Sequence, residues 1–278
     1  MPEWTRNTPW RQGHLLTDEA VTTIGLINRA YPDNAVVIVA THNFDIVQLP
    51  DKEPQIEVVI GRRIDEFDGN YTHAKSSRTL HIEFEGDEPL LAEFVATGKQ
   101  SIQKKLLEDF VPETAAKLSP PNLATFQMWL ASRYRRSAFP DEFERRLADS
   151  KLSNKIANAV KSHGKMITAV FFDVDEGQEV SRTGPDDLYV LDIILLHSLE
   201  PDFHAAEAAA KKTKDVIEHA FRKKLFDKQS GNWQSIELRY VDVISEETLT
   251  FLQSKLLKKW RLDHISLGAD PQQQVLAE

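Results

Sequence analysis

The spacing of apolar and polar residues divides this chain into a strand-rich opening, a helical middle and a mixed end. VVIVA, from Val36 to Ala40, is an unbroken apolar run and reads as a strand buried on both faces. IEVVIGRRI, from Ile56 to Ile64, reads as a second strand. TLHIEF, from Thr79 to Phe84, alternates with period two and predicts a half-buried strand. Leu90 to Val95 is expected to pair with it as a hairpin through EGDEP. Thr17 is placed to cap a short helix over Asp18 to Leu26, with acids in the first turn where the helix dipole favours them. Several short strands separated by turns point to a small barrel or a curled sheet.

From residue 116 the pattern turns helical. Ser119-Pro120-Pro121 marks a helix start, since proline at the first helical position gives up no needed N–H, and Leu123 to Arg135 follows. Asp141 and Glu144 form a D-x-x-E capping box ahead of Glu142 to Leu147, and a further helix is expected over Lys151 to Ser162. In the last third, MITAVFFDV, LYVLDIILL and Ile236 to Ile244 read as strands. Phe203 to Phe226 is the strongest helix, with Val216, Ile217, Ala220, Phe221 and Leu225 at helical spacing. A last helix is expected to start at Ser245-Glu246-Glu247 and end near Trp260, and Gln272 to Glu278 reads as a frayed tail. The prediction is an α+β protein in three parts: a β-rich, barrel-like domain over residues 1–115, a helical connector with an arginine-rich segment over 116–163, and a β-β-α-β-α sandwich over 164–278.

Composition narrows the chemistry. The chain has 278 residues, 41% hydrophobic and 28% charged, with a net charge of -9 and a pI near 5.5. That balance argues against a surface that is basic throughout, but not against a local basic groove. There is no cysteine, so disulfides, thiolate zinc sites and a cysteine nucleophile are excluded. Apolar runs fall short of the roughly 18 residues a membrane span needs. The reading is a soluble, cytoplasmic protein without a membrane partner. Neither a phosphate-binding loop of the G-x-x-x-x-G-K-[ST] type, nor G-x-G-x-x-G, G-x-S-x-G or H-E-x-x-H occurs.

Three stretches hold chemistry-bearing residues. At the end of VVIVATHNFDIVQL, His42 and Asp45 leave a buried strand together, and Glu57 stands in the next one. A histidine base with two carboxylates suits acid–base work and is compatible with a divalent metal, although no metal-ligand set is assigned and the nuclease spacing D…E-x-K is not met. The plainer reading is a turn capped by His42, Asn43 and Asp45. SRYRRSAFPDEFERRL gathers Arg133, Arg135, Arg136, Arg145 and Arg146 around Tyr134 and Phe139, and Arg62 and Arg63 add to it. Arginine interleaved with aromatic rings suits phosphate and base contact. The acids in the same stretch favour a solvated, salt-bridged helix face equally. Asp173, Asp175 and Glu176 form an acidic strand end without the spacing of a calcium loop.

The residues TPWRQG, VVIVATHNFDIVQ, EPQIEVVIGRR, WLASRYRRSAFPDEF and WRLDHISL together resemble an uncharacterised bacterial family. In that family the first strand ends in a V-V-x-S-[HQ]-x-C-D-[IL] signature. Phe44 stands here in place of the cysteine. The resemblance covers most of the chain and carries no established activity; its members look typical of bacterial mobile or defence-associated genes. With the arginine-rich segment, the leading expectation is a bacterial defence or conflict-system component that contacts nucleic acid and works with a protein partner. A shorter similarity, WRQGHLL with VVIVATHN, is to MazF/PemK-type toxins. It implies metal-free RNA cleavage with Arg11 or His14 nearer the chemistry than Asp45. A non-catalytic interaction or regulatory subunit is the third expectation.

Overall fold

The computed structural model describes residues 4–132, 134, 139–178, 180, 182, 184, 187–250, 253 and 257–261. Their elements, in chain order, are α1 (Asp18–Ile24), β1 (Ala35–Val39), α2 (Asn43–Ile46), β2 (Gln55–Arg63), β3 (Thr79–Gly86), β4 (Leu90–Gln103), β5 (Ala116–Lys117), α3 (Pro120–Ser132), α4 (Asp141–Asp149), α5 (Leu152–Lys161), β6 (Ile167–Val174), β7 (Tyr189–His197), α6 (Phe203–Leu225), β8 (Phe226–Asp227), β9 (Asn232–Trp233), β10 (Ile236–Ser245) and β11 (Lys258–Lys259). The protein is α+β, in two compact units. Among the described residues, the first takes in 4–67, 77–132 and 134, and the second 68–76 and those from 139 to 261. The helices expected to form one connector are therefore divided, α3 going with the first unit and α4 and α5 with the second. Their apolar faces decide this: Phe126 and Trp129 pack toward Phe94, whereas Phe143, Leu147, Ile156 and Val160 join the core of the second sheet.

In the first unit five antiparallel strands run in the order β1-β2-β4-β3-β5 and curl into a half-barrel. β4 is longer than the predicted hairpin arm because it serves two stretches of β2. Its residues 92–94 pair with Gly61 to Arg63, and 99–103 with Gln55 to Val59. The extra residues between Phe94 and Lys99 bend the strand, as a bulge does. Val37, Val39, Ile56, Val58 and Ile60 form one core with Trp4, Trp10, Val21 and Leu107. Phe84, Phe94, Phe126 and Trp129 form a chain of ring contacts. Thr17 and Ser119 cap α1 and α3 through their side-chain oxygens, which accept from the N–H groups of Ala20 and Asn122.

The second unit carries a sheet in the order β10-β7-β6-β11. β6 and β7 are antiparallel, and α6 makes the crossover that lets β10 lie parallel to β7. α4, α5 and α6 cover one sheet face through Phe143, Ile156, Val160, Ala210, Ile217 and Phe221. Two expectations change. Asp141 lies in the first turn of α4 rather than at its cap, because the helix already starts there after Pro140. Lys258 and Lys259, expected inside the last helix, pair as a strand with Phe172 and Phe171. Among the described residues no helix is long and apolar enough to cross a membrane.

The segment 68–76 is held in the second unit by polar contacts. Lys75 is buried and its ammonium donates to Thr72 Oγ1 (2.9 Å), Gly164 O (2.6 Å) and Ile167 O (2.7 Å). Gly69 and Gly164 touch backbone to backbone, and a Cβ on Gly164 would lie 2.1 Å from Gly69 O. Gly164→Ala is therefore expected to lower the unfolding free energy by about 1–3 kcal/mol, the cost of overpacking, in urea titration. His73, whose Nε2 lies 2.9 Å from Lys165 O, is pushed down to about 3 by burial and by the nearby Lys75 charge. An unfolded histidine titrates near pH 6.5, so below that pH the unfolded chain binds a proton that the folded chain refuses. Stability is expected to fall as the pH drops from 7 toward 5. His73→Asn, which tolerates the left-handed backbone there, should flatten that dependence in denaturant melts.

Candidate functional site

At the end of β1 the polar residues are drawn into local structure. Thr41 Oγ1 accepts from Glu57 N–H (2.6 Å), and His42 caps α2 by accepting from Phe44 N–H (3.2 Å). Asn43 Oδ1 accepts from Gln12 N–H (2.8 Å), and Gln12 in turn donates to Ala40 O. Asp45 is exposed in the first turn of α2, and Glu57 pairs with Lys99 at 2.8 Å. No hydrogen bond or ion pair joins His42, Asp45 and Glu57 to one another among the described residues. Phe44 is 68% exposed, so the position where the resembling family carries cysteine is not a core position. Arg11 donates to Thr8 O and Trp10 O, and His14 accepts from Arg11 N–H, its own pKa lowered by burial and by Arg11.

The arginines fare unequally. Arg62 pairs with Glu93 at 2.6 Å and lies 4.1 Å from the Tyr31 ring centre. Glu93 also meets His81 at 2.9 Å, so one row crosses three strands. Burial alone would raise the Glu93 pKa; the hydrogen bonds from His81 and Arg62 outweigh it and hold the carboxyl low. Arg63 has a loose contact with Asp18 at 3.6 Å. Arg145 is exposed and bridged to Glu142 and Asp149. Arg146, 6% exposed, donates to Glu142 and to the carbonyls of Gly184, Asp187 and Ser235. Its fork faces the protein rather than solvent. Arg133, Arg135 and Arg136 lie outside the described residues.

A second constellation sits on the second sheet, on the face opposite α6. Asp173 of β6 and Asp192 of β7 stand directly across from each other. On the other side of Asp192, β10 carries a bulge between Leu238 and Tyr240, so Arg239 and Tyr240 occur where one residue would suffice. Asp192 is 2% exposed and accepts from Nε and Nη2 of Arg239, whose Nη1 donates to Glu176 at 2.9 Å. Glu176 reaches Arg239 from a turn in which Asp175, Glu176 and Gly177 all have positive φ. Asp175 is fixed by Arg182 (2.9 Å) and by the N–H of Val190 (2.9 Å). Burial, and then the charge of Asp192, raise the Asp173 pKa. Like carboxylates opposite one another destabilise a sheet, and one guanidinium compensates only the inner one. The result is a half-buried acid that keeps its proton to higher pH beside a guanidinium already engaged by two other carboxylates. Among the described residues no three or more histidine or acidic side chains are placed to hold a metal ion.

Of this row the sequence singled out Asp173, Asp175 and Glu176. It missed Asp192, Arg239 and Tyr240, although Asp192 is the one charge inside LYVLDIILL, and Arg239-Tyr240 breaks the alternation of IELRYVDV. Arg239→Ala is expected to lower the thermal midpoint, because it leaves a buried carboxylate without its partner. Asp192→Asn in the same chain should recover more than half of that loss, which a double-mutant cycle read by calorimetry would measure. No family model, curated protein or solved structure matches this chain.

Proposed function

We propose that this protein contacts nucleic acid through the exposed face of α6, as a component of a bacterial defence or conflict system. The defence setting rests on the sequence resemblance alone. The observation that supports nucleic-acid contact is the unpaired positive charge on α6 and the turn after it. Between Phe203 and Lys228 there are seven lysines and arginines against four acids, in a chain of net charge -9. Lys211 and Lys214 are tied to Glu207 and Glu218. Lys212, Arg222, Lys223, Lys224 and Lys228 are exposed and form no ion pair with a described residue. Dipole complementarity accounts for Arg222 to Lys224 in the last turn, but not for Lys212 or Lys228. The helix has 23 residues, about 34 Å of rigid length at about 1.5 Å each, enough to follow a phosphate backbone over several charges.

Fluorescence anisotropy with labelled single-stranded DNA, RNA and duplex tests the reading. Binding should weaken steeply with salt. Changing Lys212, Arg222, Lys223 and Lys228 together to glutamine should lower the slope of log K against log salt by roughly 3. The reading fails if no probe binds at low salt, or if the fourfold variant binds like the parent.

A further inference from the structure

The residues inserted in β4 between Phe94 and Lys99 stand against a single residue of β2, Ile60. Beside this bulge lies a small cavity of about 30 Å3. It is lined by Val59 of β2, Ala96 and Lys99 of β4, Trp129 and Leu130 of α3, and Tyr134 just after that helix. The walls are apolar, since the Lys99 ammonium is held by Glu57 at 2.8 Å and only its stem counts toward them. Trp129 is fixed by its stack on Phe126, with ring centres 6.1 Å apart. Tyr134 is placed by a turn in which its N–H donates to Ala131 O at 3.1 Å.

One donor here is unmet. Trp129 is 2% exposed, and its indole N–H is buried without an acceptor. A buried indole N–H normally finds one, and a ligand that brings an acceptor recovers the free energy of the missing bond. The cavity has room for roughly two water-sized groups, so it admits an acceptor atom and not a whole ring. The ring of an occupant stays outside, where Tyr134 is 83% exposed. Around Tyr134 in the chain, three of the five residues of SRYRR are arginine. A flat ring, an acceptor on its edge and a negative charge match these three features, and a nucleotide carries all of them.

We propose that this cavity is a base-edge pocket for single-stranded nucleic acid. One unstacked base lies on the Tyr134 ring, and its carbonyl oxygen enters the cavity and accepts from Trp129 Nε1. The proposal rests on the reading that the protein contacts nucleic acid, and not on α6 as the contact.

The test follows the five tryptophan indole N–H signals of the isotope-labelled full chain by NMR, with Trp129→Phe identifying the one that matters. A short oligothymidylate should shift the Trp129 signal saturably, and an abasic oligomer with the same phosphates should leave it in place. In anisotropy at fixed salt, the oligothymidylate should bind on the order of tenfold more tightly than the abasic oligomer. Tyr134→Ala, a change at an exposed ring, should abolish that difference, and Tyr134→Phe should keep it. The proposal is overturned if the oligothymidylate binds without moving the Trp129 signal, or if Tyr134→Ala keeps the difference. The α6 glutamine variant should weaken both oligomers alike. Failure of the α6 reading therefore leaves the base difference standing, failure of the pocket leaves the salt dependence standing, and binding of neither oligomer overturns both. A Trp129 signal that answers to N-acetylvaline methylamide and not to the oligothymidylate assigns the cavity to a peptide carbonyl and overturns the proposal as well.

Discussion

Buried main-chain carbonyls must find donors, and in this protein three buried cationic side chains each gather several carbonyls from segments remote in sequence. Lys75 closes the carbonyls of Gly164 and Ile167. Lys104 closes those of Asp45 and Gln48 at the end of α2, beside the Trp4 ring, while the Trp4 indole donates to Ile46 O. Arg146 closes those of Gly184, Asp187 and Ser235. Each fastens a segment remote in sequence, so each fixes a junction rather than a regular element. A donor of this kind costs desolvation, which the several acceptors gathered around each cation offset. That is why these residues are unavailable for work at the surface.

The same requirement shapes the second sheet. Asp192 sits in an otherwise apolar strand, and its charge is tolerated because a bulge turns Arg239 toward it. The turn of positive-φ residues after β6 brings Glu176 onto the same guanidinium. Two backbone irregularities thus converge on one arginine, and the acid left over, Asp173, retains its proton to higher pH. Irregular backbone maintained at a half-exposed cluster is a common mark of a working surface.

The first unit shows how an irregularity becomes curvature. The residues inserted in β4 between its two pairings with β2 curl the sheet, and the segment at Leu15 and Leu16 bridges β1 to Pro112 and Glu113. In the second unit α6 packs its alanine-rich apolar side on the sheet and leaves its lysines outside.

Periodicity alone determined most of the elements: the apolar run of β1, the alternation of β3, the helical spacing of α6 and the serine and threonine caps all act over a few residues, and local chain geometry decides them. The sequence also placed polar residues at the end of β1, where the structure makes His42 a helix cap. Partnership was decided by the tertiary structure. Nothing within a few residues of Arg146 says that its acceptors lie in the loop at Gly184 and Asp187 and at Ser235, or that Arg62 meets Glu93 and Tyr31. Nor could spacing show that Asp173 and Asp192 would stand opposite each other, because strand register is set by long-range pairing and bulges. Charge type is written in the chain; whether a charge is neutralised, buried or free depends on contacts tens of residues away.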